Sequence, residues 1–158
     1  MHVAKYQVRV RRATAADVAP LTELLALLFA QEADFAPDAD RQTAGLRLIL
    51  DQPETGHIDC AVTADGIIGM VSILFTVSPA EGGRAAWLEN LIVHPEWRAI
   101  GVGDRLLREA IHDAKLAGCK RLTLLTDESN TVAMRGYARA GFVRSRMVPM
   151  RLMLCRTR

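Results

Sequence analysis

The segment His57–Ser78, HIDCAVTADGIIGMVSILFTVS, limits the fold more than any other stretch of the chain. Two runs rich in β-branched and apolar residues flank Asp65-Gly66, a dipeptide whose two positions tolerate positive φ, so the pattern predicts a tight hairpin turn there. The segments around this hairpin alternate in character. YQVRVRR, from Tyr6 to Arg12, alternates apolar and polar residues as a strand does. TAADVAPLTELLALLFAQ then opens a helix, with Thr14 or Asp17 as cap candidates, and DADRQTAGLRLILDQ predicts a second helix closed by Pro53 and Gly56. Beyond the Gly82-Gly83 loop, AAWLENLIV is a strand. A helix from about Gly101 to Ala117, a strand RLTLLT, a helix from about Asn130 to Ala140, and strands near FVRSRMV and PMRLMLC complete the chain. This order implies a mixed α/β fold with a central sheet, antiparallel at the hairpin and parallel across the later helix crossovers.

At 158 residues, half of them hydrophobic, the chain reads as a single domain over 1–158 with one sizeable core. A net charge of +2 with scattered basic residues argues against a nucleic-acid partner. The N-terminal residues lack the apolar core of a signal peptide, and LLALLFA is far too short to span a bilayer, so a cytoplasmic protein without a membrane partner is expected. Cys60, Cys119 and Cys155 form no disulfide framework or CxxC pair. His2, His57, His94 and His112 have no metal-ligand spacing among them, and no metal is expected. Ser129, in DESNT, does not stand in the Gly-x-Ser-x-Gly elbow of a hydrolase.

The stretch VHPEWRAIGVGDRLLREA sets Arg98, Gly101 and Gly103 against the start of an amphipathic helix. Glycine inside a helix costs roughly 0.8–1.0 kcal/mol relative to alanine, so two at the entry suggest that something requires bare backbone. The first four N–H groups of a helix have no intrahelical acceptor and sit at the positive end of its dipole, which makes an anion the first suspect. A P-loop would need Lys and Ser/Thr where Asp104 and Arg105 stand, and a dinucleotide fingerprint would need glycine at Leu106. The core-facing Leu106, Leu107, Ala110, Ile111, Ala114 and Ala117 explain the helix but not Arg98 or the paired glycines.

RAIGVG, Arg98 to Gly103, resembles the Arg/Gln-x-x-Gly-x-Gly/Ala signature of the GNAT superfamily of acyl-CoA-dependent N-acetyltransferases. NTVAMRGYARAGF, Asn130 to Phe142, resembles that family's Asn-x-x-Ala helix ending in Tyr-x-x-x-Gly-Phe. The resemblance implies a three-layer fold, a twisted mixed sheet of seven strands flanked by about four helices. It implies acetyl-CoA as co-substrate, with its pyrophosphate on the amides of Ile100, Gly101, Val102, Gly103, Asp104 and Arg105 and on the Arg98 side chain. Backbone around Leu91, Ile92 and Val93 would meet the acyl chain and pantetheine, the Val93 N–H would face the oxyanion, and Asn130 and Ala133 would lie by the cofactor. Asn130 reads equally well as a helix cap.

Acetyl transfer to an amine sets two further demands. An alkyl amine with a pKa of about 10.4 is almost wholly protonated at pH 7, so a base must take its proton. Glu89 is the candidate; the alternative is a solvated strand residue. Strand parity places it with Trp87 and Leu91 on one face. Tyr137 matches the family's tyrosine that protonates the departing thiolate. For the acceptor, Glu32, Asp34, Asp38 and Asp40 form either an acidic rim or a solvated helix end, and Phe29 and Phe35 either wall the acceptor or anchor the loop. The expected activity is direct acetyl transfer in a ternary complex to a small cationic amine or a peptide amine, and the alternative is a silent acyl-CoA-binding module. A homodimer is the one protein assembly considered.

Overall fold

The computed structural model describes residues 7–32 and 34–155; His2 and the Tyr6 end of the first predicted strand lie outside the described residues. The elements in order are β1 (Arg9–Arg12), α1 (Val18–Phe29), α2 (Ala39–Leu50), β2 (Gly56–Thr63), β3 (Gly66–Ser78), β4 (Gly83–Val93), α3 (Val102–Leu116), β5 (Leu122–Leu124) and α4 (Thr131–Arg139). The five strands form one sheet in sequence order, antiparallel from β1 to β4 and parallel between β4 and β5. No helix among the described residues is long and apolar enough to cross a membrane.

Two apolar layers follow from the helical and strand periods. On α1, Leu21, Leu24 and Leu25 recur at helical spacing and pack with Leu46 of α2 onto Ile58, Cys60, Met70 and Ile92. On the opposite sheet face, Leu106, Leu107 and Ala110 of α3 cover Ala61, Val71, Ile73, Ala86 and Leu88. Pro20 is tolerated in α1 because it stands in the first turn, where its missing N–H would have no acceptor. Thr14 and Asp17 form a capping box at the 3₁₀ turn Ala15–Asp17 that leads into α1, and the Asp17 side chain makes no cap bond to α1 itself. The Asp17 carboxylate accepts the Thr14 N–H at 2.8 Å and two Arg11 donors at 2.8 and 2.9 Å. Those bonds, Arg11's above all, hold its pKa down to about 2.

One irregularity in β4 matters for the site. Glu89 stands opposite Ser72 and Ile92 opposite Met70, so Asn90 and Leu91 share the single opposing residue Val71. This is a β-bulge, and Asn90 carries the positive φ, 55°. The extra residue inverts the alternation. Leu88 and Leu91 both pack toward α3, while Ile92 joins the α1–α2 layer. The expected grouping of Glu89 with Leu91 is therefore wrong, because strict period two does not survive a bulge.

Three further expectations need correction. The hairpin pairs Thr63 with Gly66, so its two-residue turn is Ala64-Asp65, one position earlier than Asp65-Gly66. The sheet has five strands among the described residues rather than seven. The segments FVRSRMV and PMRLMLC form no strand among the described residues, and Val143, Met147, Val148, Met150, Leu152, Met153 and Leu154 are exposed. Their alternation satisfies strand propensity, but β5, only three residues long, gives them no ladder to extend.

Candidate active site

After β4 the chain makes a 3₁₀ turn, Pro95–Trp97, capped by His94, whose Nδ1 accepts the Glu96 N–H at 3.3 Å. Arg98 then folds back, and its Nε donates to the Val93 carbonyl at 2.9 Å. That bond fixes the loop against the end of β4 and engages only one of the guanidinium's nitrogens. Ala99 and Gly101 have left-handed backbones, φ 61° and 88°, and α3 begins at Val102. The Arg105 N–H makes the bond to Gly101 O at 3.1 Å. The amides of Val102, Gly103 and Asp104 are left without an intrahelical acceptor.

The two glycines have different causes. Gly101 is required by its own positive φ, which β-branched residues in particular resist. Gly103 is not required by the fold, since a Cβ there would meet only Val93 Cγ2 at an ordinary 3.7 Å. Its bareness serves whatever approaches the helix start from outside. Arg105 reaches away to the Val8 carbonyl, and Asp104 pairs with Arg139 of α4 at 3.7 Å. Ile100 is exposed and Val102 is buried.

β4 carries this cradle to a second feature. Its pairing with β5 covers only Ala86, Trp87 and Leu88. From Glu89 to Val93 no β5 residue stands opposite, so that edge of the strand, bulge included, is open between the cradle and Glu89. Leu91, Ile92 and Val93 thus line an edge of backbone that no β5 residue pairs. Glu89 itself is exposed on the other face from α3.

The acidic and aromatic candidates are brought together with residues from distant segments. Glu32, just past α1, is half-buried, and its carboxyl is pushed up first by burial and further by Asp34, Glu89 and Asp127, against the pull of Arg151. Phe29 and Phe35 meet with ring centroids 5.6 Å apart, and the Arg151 guanidinium lies 5.2 Å over Phe35 while pairing with Asp34. Asp38 and Asp40 do not join this group. Asp38 caps α2, accepting the Arg41 N–H at 3.1 Å, and Asp40 lies in the first helical turn. Asp127 and Arg151 carry no sequence signal; only the folded chain brings them to Glu32.

Tyr137 is held by the way α4 ends. The Phe142 N–H bonds to the Tyr137 carbonyl at 3.0 Å and the Gly141 N–H to Ala138 at 3.0 Å, a Schellman turn in which the two rings meet edge to face at 5.9 Å. The Tyr-x-x-x-Gly-Phe pattern thus positions the phenol. Burial, with Glu32 second, raises its pKa, so it stays protonated at neutral pH. Asn130 is the helix cap, its Oδ1 accepting the Ala133 N–H at 3.2 Å.

A sequence model of the acetyltransferase (GNAT) family matches residues 21–142. A spermine/spermidine N(1)-acetyltransferase of Bacillus subtilis is 36% identical over 63 residues, which cover 39% of this chain and 41% of that protein. The chain thus matches less than half the length of that relative. An integron cassette protein from the mobile metagenome of a salt marsh superposes with a TM-score of 0.81 at 25% identity, covering 94% of this chain and 91% of the other. An aminoglycoside N-acetyltransferase in complex with CoA has a TM-score of 0.80 at 18% identity, covering 98% and 100%.

Proposed function

The chain belongs to the acetyltransferase (GNAT) family, and from that premise we propose that it moves an acetyl group from acetyl-CoA to a primary amine of a small polycationic acceptor. Transfer is direct, in a ternary complex. The observation that carries this reading is the open edge of β4, which runs from the bare helix start at Gly103 to Glu89, beside an acidic group on the other side. The Val102, Gly103 and Asp104 amides and the free nitrogens of Arg98 hold the pyrophosphate. Glu89 takes the ammonium proton, directly or through water, and the freed amine attacks the thioester carbonyl. A C–N bond forms, the C–S bond breaks, Tyr137 gives its proton to the departing sulfur, and the second proton shed by the acylated nitrogen returns through water to the Tyr137 phenolate. The Val93 N–H supports the carbonyl oxygen as charge develops on it.

Glu32, Asp34 and Asp127 supply the acceptor preference, since several carboxylates attract a ligand carrying several ammonium groups more than one carrying a single charge. The spermine/spermidine relative supports the same class of acceptor. Free-thiol release from acetyl-CoA across a panel of polyamines, monoamines and peptide amines tests this directly. Polyamines should give the highest kcat/KM. Equal rates for mono- and polyamines would overturn the acceptor assignment, and CoA binding without thiol release on any amine would make the chain a silent binding module.

A further inference from the structure

Away from the cleft, the sheet face under the far end of α3 holds a charged cluster that acetyl transfer does not use. His57 and Asp59 are two apart on β2 and so share one face, and Asp113 descends on them from α3. Asp113 lies ten residues beyond Gly103, roughly 15 Å along the helix. His57 Nε2 stands 3.2 Å from Asp113 Oδ2 and 3.5 Å from Asp59 Oδ2. Arg12, opposite Asp59 in the β1–β2 register, reaches Asp59 Oδ1 at 3.3 Å and Asp113 Oδ2 at 3.0 Å. The Phe75 ring sits edge-on to the imidazole at 5.8 Å.

With both carboxylates ionised, two buried atoms here make no hydrogen bond, His57 Nε2 and Asp59 Oδ2, and the Asp59 side chain is only 3% exposed. A buried polar atom left unsatisfied costs about 1–3 kcal/mol, and these two stand 3.5 Å apart, close enough for one ligand to satisfy both. One ligand atom from each of His57, Asp59 and Asp113 lies within 4.8 Å of the other two. In a tetrahedron with bonds of about 2.0–2.2 Å, neighbouring ligand atoms stand about 3.3–3.6 Å apart, close to both separations from His57. Charge points the same way. Two carboxylates face the single Arg12 guanidinium, at 3.3 and 3.0 Å, which leaves them with an excess of negative charge.

We propose that His57 Nε2, Asp59 Oδ2 and Asp113 Oδ2 bind one divalent transition-metal ion, zinc on the strength of the imidazole and carboxylate donors, fastening α3 to β2. His57 and Asp113 keep 14% side-chain exposure, enough for water to complete the coordination. Arg12 donates to Asp113 Oδ2 and pairs by charge with Asp59 Oδ1, which holds both carboxylates in place and leaves Asp59 Oδ2 for the metal. The spacing of the histidines gave no hint of this site because only one ligand is a histidine.

The test is zinc titration of the chelator-treated full chain by calorimetry, with bound metal counted after dialysis and thermal unfolding followed in parallel. One zinc per chain and an unfolding midpoint that climbs with zinc concentration are expected. Asp59→Asn, which keeps the side-chain volume, and His57→Gln should each weaken zinc by at least about tenfold, and His112→Gln should not. Circular dichroism establishes that each variant is folded; should Asp59→Asn fail to fold, His57→Gln decides. A wild-type chain that takes up no zinc at micromolar free metal overturns the assignment, as does zinc affinity unchanged in the folded variants.

Discussion

The two halves of the cleft are built on opposite plans. The proposed cofactor half comes from one continuous run, Leu91 to Arg105, and works chiefly through backbone: a strand edge without a β5 partner, a left-handed entry at Gly101, and amides at a helix start. The proposed acceptor half draws Glu32, Phe35, Glu89, Asp127, Tyr137 and Arg151 from five separate segments and works through side-chain charge. A backbone site binds by shape and dipole and so tolerates changes of surrounding sequence. A side-chain site can be retuned one residue at a time, and its partner changes when those charges change.

Substitutions that touch one half should leave the other intact, and the largest expected separation is at Glu89. Glu89→Gln should lower the rate by about 10²–10⁴ near neutral pH, recovering in part at high pH as free amine accumulates. CoA affinity, measured by calorimetry, should not change. Parental rates from pH 6 to 9 would move the base to water or to Glu32. Gly103→Val is the mirror image. It puts a branched side chain where the fold has room for one, so the protein should remain folded while CoA affinity falls by about 100-fold or more. Gly101→Val is the poorer test, because its positive φ adds strain to the folded state.

The same division decides what could be read from the sequence. RAIGVG was legible because a backbone site needs particular residues in consecutive order, and the Tyr137–Phe142 pattern because one helix turn encodes its geometry. The strand and helix order around the hairpin was legible through periodicity. Leu91 was assigned the wrong face because a single bulge residue, Asn90, reverses parity without any sign in composition. Asp38 and Asp40 looked like partners of Glu32 by proximity in the chain, yet one turn of α2 holds them as cap and first-turn residues. Asp127 and Arg151 reach Glu32 only through tertiary packing, and no local pattern announces them. The closing strands failed for a related reason: alternation gives a segment strand character, but a ladder also needs an edge of adequate length.

Within the cofactor half, backbone and side chain can be weighed against each other at Arg98. Arg98→Ala should weaken CoA by about 10- to 150-fold, the scale of one charged hydrogen bond. If the guanidinium contributes by binding phosphate, the loss should vanish for pantetheine, which has none. An equal loss for both ligands would mean that Arg98 acts only by tying the loop to the Val93 carbonyl.

The smallest effect belongs to Glu32, and it bears on the acceptor half alone. Its carboxyl sits above the ordinary glutamate range, mainly through burial, so it loses its charge at a higher pH than an exposed glutamate as the solution is acidified. A polyamine acceptor stays fully cationic throughout that range, and its attraction to the cleft should therefore weaken as pH falls through the Glu32 pKa. CoA binding should be the same in the parent and in Glu32→Gln at every pH, because the cradle's amides do not sense the Glu32 charge. Glu32→Gln should remove the inflection and raise the polyamine KM at neutral pH by about fivefold, the worth of roughly 1 kcal/mol for one partly screened charge pair. The increase should shrink at high salt and be smaller for a monoamine, since fewer ammonium groups feel the missing charge. Loss of equal size for mono- and polyamines, at every salt concentration, would mean that Glu32 shapes the wall of the cleft rather than its potential.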